Sequence, residues 1–172
     1  ALITAGAQGI GLAIARAFLQ AGCAIFVHYH SSGEAAKSLA AEASAAGCPG
    51  GYGRADLRSS EGCDALVAEA VKFLGGLDIL INNAGSLVGR RSLAEADDAF
   101  WEDVMALNLG SLRRMTRAAA PHLLAAAAER GGASIVNLSS LAGRKGGHPG
   151  SLAYSTAKGA VLTYTRALAT EL

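Results

Sequence analysis

Residues 1–11 read ALITAGAQGIG. The apolar run at 1–4 gives way to glycines at Gly6, Gly9 and Gly11, and an Ala-rich helical pattern starts at once. Strand, tight loop, helix is the order that offers an anion a row of free backbone N–H groups at a helix N-terminus. The three-glycine fingerprint G-x-G-x-x-G is not met, because Gly9-Ile10-Gly11-Leu12-Ala13-Ile14 ends on Ile14. Ala5 stands where such a loop usually places its first glycine. Gly6, one residue later, is expected to take the positive-φ turn instead, which leaves the amides of Ala7, Gln8, Gly9 and Ile10 facing a pyrophosphate.

Outward from this loop, strand and helix signals alternate. Apolar runs of strand length recur at 23–29, 77–82 and 133–138, with a weaker one at 51–55; helical patterns occupy 9–21, 33–46, 59–74, 97–129 and 151–172. Such alternation predicts an α/β fold, a doubly wound parallel sheet of Rossmann type with helices on both faces. We expect one dinucleotide-binding domain over 1–172, with its ligand at the carboxyl ends of the strands where strand order reverses.

Composition narrows the functions available. The chain has 172 residues, of which 51% are hydrophobic and 17% charged, enough for one buried core. A net charge of +1 gives no case for nucleic acid or an anionic membrane as partner. No apolar stretch reaches the roughly 20 residues of a membrane helix, and the first residues read as a strand rather than a signal peptide. Cys23, Cys48 and Cys63 lack C-x-x-C spacing, so reduced thiols and a cytoplasmic setting are expected. His28 and His30 alternate on one strand end without a third ligand, and no metal site is expected. A serine-hydrolase reading fails for want of a G-x-S-x-G elbow.

The remaining chemistry sits at strand ends. Asp56-Leu57 follows the third strand, Asn82-Asn83-Ala84-Gly85 ends the fourth, and Asn108 lies inside the long fifth helix. Each has a plain structural alternative: a helix N-terminal acid, a turn, and a buried amide bonding a helix carbonyl. The densest stretch is SSLAGRKGGHPGSLAYSTAK, residues 139–158. Tyr154 and Lys158 stand one helical turn apart and share a face. An ammonium beside a phenol favours the phenolate, which suits a proton donor or acceptor; the alternative is an exposed i,i+4 pair. Ser140 closes the preceding strand, where a hydroxyl can hydrogen-bond an oxygen on which charge develops.

Taken together these motifs resemble the short-chain dehydrogenase/reductase family. TAGAQGIG is similar to its T-G-x-x-x-G-I-G loop, matching at Thr4, Gly9, Ile10 and Gly11 and departing at Ala5; N-N-A-G, N-x-S-S and Y-x-x-x-K follow in order. The resemblance implies an oxidoreductase interconverting a small-molecule ketone and secondary alcohol by hydride transfer, most like 3-oxoacyl-carrier-protein reductases. Pteridine, sugar and steroid reductases stay open, as does a non-catalytic nucleotide-binding module. It assigns proton transfer to Tyr154, the nicotinamide ribose and tuning of Tyr154 to Lys158, the carbonyl to Ser140, and a water-linked proton relay to Asn108. It places Gly6, Ala7, Gln8, Gly9, Ile10, Gly11, Asp56, Leu57, Asn83, Ala84 and Gly85 along the cofactor, with Asp56 on the adenine amine. Fourteen positions separate Ser140 from Tyr154, one more than the family usually shows, so His148 or a neighbour reads as an insertion in a loop.

Cofactor choice rests on the end of the second strand, Val27-His28-Tyr29-His30-Ser31-Ser32, with no acid before Glu34. Tyr29 stands where NAD-using members commonly place Asp. His30, Ser31 and Ser32 can donate to a 2′-phosphate, so NADP(H) is favoured and NAD(H) remains possible. No arginine stands at Gln8 or Tyr29 to receive that phosphate. The resemblance also implies further strands and a substrate lid beyond Leu172, so the sequence reads as truncated after the catalytic helix. It implies a homodimer or homotetramer built on helices 97–129 and 151–172.

Overall fold

A computed structural model describes all residues, Ala1–Leu172. In chain order the elements are β1 (Leu2–Ile3), α1 (Gly9–Gln20), β2 (Ile25–Tyr29), α2 (Gly33–Ala45), β3 (Gly50–Arg54), α3 (Ser60–Leu74), β4 (Ile79–Asn82), α4 (Asp98–Met105), a π-helical segment (Ala106–Gly110), α5 (Ser111–Arg130), β5 (Ser134–Asn137), α6 (Leu141–Lys145) and α7 (Leu152–Glu171). The chain divides into two compact units. One comprises Ala1–Asn83 with Arg114–Val136, the other Ala84–Arg113 with Asn137–Leu172.

The first unit holds the sheet, in the order β3-β2-β1-β4-β5. Strand β1 runs parallel to β2 on one side and β4 on the other, with Leu2 opposite both Phe26 and Leu80. Side chains of these central strands are buried on both faces: Leu2, Ile3, Ile25, Val27 and Leu80 are inaccessible to solvent. That is why they read as unbroken apolar runs rather than alternating ones. The chain winds outward from β1 to β3 and then crosses to β4, so strand order reverses beside β1. The weak strand signal of β3 has a packing cause. A Cβ on Gly51 would lie 2.7 Å from the Phe26 ring, whose centroid is 5.7 Å from that of Phe73. Gly51 thus makes room for the Phe26 and Phe73 rings packed against β3. Helix α3 is capped by Ser59, whose hydroxyl accepts from the Gly62 N–H, a contact worth about 1 kcal/mol.

The second unit is helical. Asp97 caps α4 by accepting from the Phe100 N–H at 2.8 Å. The single helix expected over 97–129 is instead interrupted by the π-helical segment after α4. Side chains compete there for helix carbonyls: Asn108 Nδ2 donates to Val104 O at 2.9 Å, and Ser111 Oγ to Leu107 O at 2.5 Å. Helix α6 was not foreseen from the sequence; it is short and lies directly on α7. A Cβ on Gly143 would come within 2.5 Å of the Lys158 carbonyl carbon, so only glycine permits that approach.

No helix is long and apolar enough to cross a membrane. The three cysteines are free, and burial pushes the Cys63 thiol up to about 11, which keeps it inert.

Candidate nucleotide and proton-transfer residues

In the first unit the loop after β1 departs from the expected geometry. Ala5, not Gly6, takes the left-handed turn, with φ 50°. Gly6 is required for a different reason: a Cβ there would sit 2.8 Å from Val27 Cγ1. Gly11 likewise makes room, since its Cβ would be 2.2 Å from the Ala5 carbonyl oxygen. The loop is tied on every side. The Ala5 N–H donates to His28 Nδ1 at 3.0 Å and the Gly6 N–H to the His28 carbonyl at 3.0 Å. Asn83 Nδ2 donates to the carbonyls of Thr4 (3.0 Å) and Ala5 (3.1 Å), and the Asn83 N–H donates to Thr4 Oγ1. The Asn83 side chain is thus spent on the loop itself. Asn82 is buried, its amide donating to Thr116 Oγ1 at 3.2 Å.

Helix α1 starts at Gly9 with Gln8 extended, no side-chain cap and no acid in its first turn. Gln8, Gly9 and Ile10 are exposed, while Gly6, Ala7 and Gly11 lie beneath them. Bare N–H groups with no competing carboxylate form a cradle suited to an anion such as pyrophosphate.

At the end of β2, Tyr29 packs over Gly33 and stands in register with Arg54 of β3. Arg54 Nε donates to the His30 carbonyl at 3.1 Å, and Ser32 Oγ donates to Gln8 Oε1 at 3.0 Å. His30 and Ser31 are exposed. The neighbouring strand thus brings a guanidinium to the end of β2, where the sequence has none at Gln8 or Tyr29. Reading β3 in parallel register with β2 was the signal that finds it. Asp56 is exposed and accepts from the Arg58 N–H at 2.9 Å, whereas the Leu57 side chain is buried and has only its backbone to offer.

The second unit gathers Gly85, Asn108, Ser140, Tyr154 and Lys158. Asn108 is fully buried; its Oδ1 accepts from the Ser86 N–H at 3.1 Å and its Nδ2 donates to Ser86 O at 2.8 Å as well as to Val104 O. This side chain fixes the segment after Ala84-Gly85. Lys158 is only 4% exposed, and Nζ donates to Leu138 O at 2.9 Å. Burial pushes its ammonium below the usual lysine range. An exposed surface pair is thereby excluded for Tyr154 and Lys158. Nζ lies 6.0 Å from the Tyr154 ring centroid, and Tyr154 is half-buried. A Cβ on Gly85 would sit 2.7 Å from Asn108 Oδ1 and 2.9 Å from Lys158 Nζ, so glycine lets amide and ammonium converge. Ser140 caps α6, its hydroxyl accepting from the Ala142 N–H at 3.2 Å; Ser139 Oγ donates to Lys158 O at 2.6 Å. The loop between α6 and α7 turns on positive-φ Gly146, Gly147 and Gly150, and Arg91 N–H donates to Gly150 O.

No group of three or more His, Cys, Asp or Glu side chains is placed to hold a metal.

Comparison with known proteins agrees with these motifs. The 3-oxoacyl-acyl-carrier-protein reductase of Staphylococcus aureus is 33% identical over 172 residues, all of this chain and 68% of that protein. Among solved structures, an NADH-dependent reductase, A1-R′, complexed with NAD superposes with a TM-score of 0.95 at 35% identity, over 99% of this chain and 71% of that one. A variant of the actinorhodin polyketide ketoreductase with NADPH gives 0.87 at 35% identity, over 99% and 63%. The chain spans 63 to 68% of the length of the curated relatives it matches. A family model described as short chain dehydrogenase matches residues 1–172, and the chain belongs to that family.

Proposed function

We propose that this chain carries the nucleotide-binding and proton-transfer residues of an oxidoreductase that interconverts a ketone and a secondary alcohol. The observation that carries the reading is the buried Lys158 ammonium, anchored on Leu138 O one helical turn from Tyr154 and converging with Asn108 on Gly85. Burying an ammonium is costly, and a lysine serving only solubility would not be held there. A nicotinamide dinucleotide, when bound, supplies or accepts the hydride. The residues Gln8, Gly9 and Ile10 offer free N–H groups to its pyrophosphate, and Asp56 and Leu57 line the adenine. Tyr154 Oη gives its proton to the carbonyl oxygen as the carbonyl carbon is reduced, and takes it back in the reverse direction. Lys158 holds the nicotinamide ribose and supports the phenolate left on Tyr154. Ser140 hydrogen-bonds the reacting oxygen, Ala84 and Gly85 line the ribose, and Asn108 fixes that segment and supports a water-linked proton relay to Lys158.

We favour NADP(H) over NAD(H). No carboxylate ends β2; His30, Ser31 and Ser32 follow it and Arg54 Nε is held on the His30 carbonyl, donors that suit a 2′-phosphate. The substrate class closest to hand is a 3-oxoacyl thioester, from the reductase relative; assembly as a homodimer or homotetramer and a cytoplasmic setting complete the proposal. The test is turnover of the purified protein with NADPH or NADH and a ketone panel including 3-oxoacyl thioesters, followed by loss of reduced-nicotinamide absorbance, with calorimetry for binding. Faster turnover with NADPH supports the reading. Binding of neither nucleotide overturns it.

A further inference from the structure

His28 is 3% exposed, and both ring nitrogens are engaged. Nε2 faces the Ala55 carbonyl at 3.1 Å, and a carbonyl only accepts, so Nε2 carries the proton. Nδ1 therefore presents its lone pair, and it receives the Ala5 N–H at 3.0 Å. The ring is held as one neutral tautomer. The same residue's carbonyl takes the next amide, that of Gly6, at 3.0 Å. Ala5 is one of two non-glycine residues at positive φ in the chain, a region that the Cβ of an L-residue disfavours. Its own carbonyl is held by Asn83 at 3.1 Å. The peptide groups on both sides of Ala5 are thus clamped.

We propose that His28 is the positioning residue of the nucleotide loop: its neutral imidazole accepts from Ala5 and holds an alanine in a turn made for glycine, which keeps the first amides of α1 aimed at the ligand. Through Nε2 the same ring ties this loop to Ala55, the residue before Asp56, so two segments assigned to one ligand share one tether. This rests on the dinucleotide reading above. Glycine at position 5 would hold the turn unaided, so His28 and Ala5 form a compensating pair.

The charge state of the ring follows. Burial is the main cause that holds its protonation below the ordinary histidine range; the hydrogen bond to the Ala55 carbonyl opposes it, His30 adds to the lowering, and Asp56 opposes it; β1 and the loop through Ala7 bring no charge against it. Protonating Nδ1 would set two donors face to face and break the Ala5 contact. Binding should therefore hold at about 6.5, the ordinary histidine value, and weaken only at lower pH, as the ring takes its proton. NADH, which carries no 2′-phosphate, is the cleaner probe of His28.

The test is a double-mutant cycle in the whole protein. His28→Gln keeps a donor for Ala55 and loses the acceptor for Ala5; His28→Asn places an oxygen where Nδ1 stood. With NADPH and calorimetry at neutral pH, His28→Gln should weaken binding about tenfold and His28→Asn less than about threefold. Made on Ala5→Gly, His28→Gln should cost less than about threefold. NADH affinity should fall on acidification for the native protein and stay flat for His28→Asn. Equal losses by His28→Gln with alanine or glycine at position 5, or no loss by it at all, overturn the proposal. Should His28→Gln fail to fold, the NADH pH profile of native protein against His28→Asn decides, a shared profile counting against the tether. If no form binds either nucleotide, the dinucleotide reading falls, while the same cycle read in denaturation midpoints still shows whether His28 and Ala5 are coupled.

Discussion

Lys158 Nζ donates to the backbone oxygen of Leu138 at 2.9 Å, so the cation on α7 is fixed to the backbone before Ser139 rather than left on a flexible stem. Its partner in sequence spacing, Tyr154, lies one turn earlier with its ring 6.0 Å from that nitrogen. Tyr154→Phe keeps the ring and its packing and removes the transferable proton. Turnover should fall about 10²–10⁴-fold, in kcat, while NADPH binding by calorimetry stays near the native value. Near-native turnover would move the proton to another group.

Gly85 is the closest approach of amide and ammonium. Gly85→Ala places a methyl group 2.7 Å from Asn108 Oδ1 and 2.9 Å from Lys158 Nζ. We expect destabilisation of about 1–3 kcal/mol together with loss of turnover. Urea denaturation beside an activity assay checks both, and an unchanged midpoint would contradict the packing.

Cofactor preference is expected to follow Arg54. Arg54→Gln should raise the KM for NADPH about tenfold, the range of a charge-assisted contact, and leave that for NADH unchanged. Tyr29→Asp should shift the ratio of kcat/KM towards NADH, since a carboxylate accepts from a ribose hydroxyl and repels phosphate. Parallel losses with both cofactors would remove Arg54 from the phosphate.

Ala5→Gly relieves a left-handed alanine and should stabilise the protein by about 0.5–1 kcal/mol, after allowing for the freer unfolded chain. Thermal denaturation of the two proteins side by side measures it. A lower Tm for the glycine form would mean that Ala5 is not strained.

The Lys158 ammonium is lowered by burial. Between that depressed value and about 10.5 the unfolded chain holds the proton and the folded chain does not, so this residue contributes stability that rises with pH across that window. Below it, the cost of the buried charge is fully present and constant. The difference in stability between native protein and Lys158→Met should therefore shift in favour of the native protein as pH climbs towards 10.5. A constant difference would place the ammonium in solvent.

Much of the fold was legible because the apolar runs of β1, β2 and β4 are buried on both faces and need no partner to be recognised. The expected run at 1–4 is wider than the strand at Leu2–Ile3, although Ala1 O and Thr4 N still bond Phe26 N and Ile81 O at its ends. The π-helical segment escaped notice since Asn108 and Ser111 act on carbonyls that no periodicity marks. Ala5 was misjudged because a sequence shows which residue tolerates positive φ, not which one a neighbouring imidazole holds there. Arg54 was invisible for a related reason: it lies far along the chain from His30 and only the β2–β3 register brings it near.

The bare beginning of α1 has a bearing on how the folded protein persists. A helix that forgoes a cap leaves its first amides to water, and an Asp or Ser at position 8 would steady it at the expense of the anion it is proposed to receive. A bound dinucleotide then finishes the helix that the polypeptide leaves open. By mass action, stability would grow with the logarithm of ligand concentration above its Kd, by roughly 2.7 kcal/mol at about a hundredfold excess. Cells rich in the cofactor would hold more of this protein folded, and starvation for it would be felt first as a larger unfolded fraction and faster turnover of the chain.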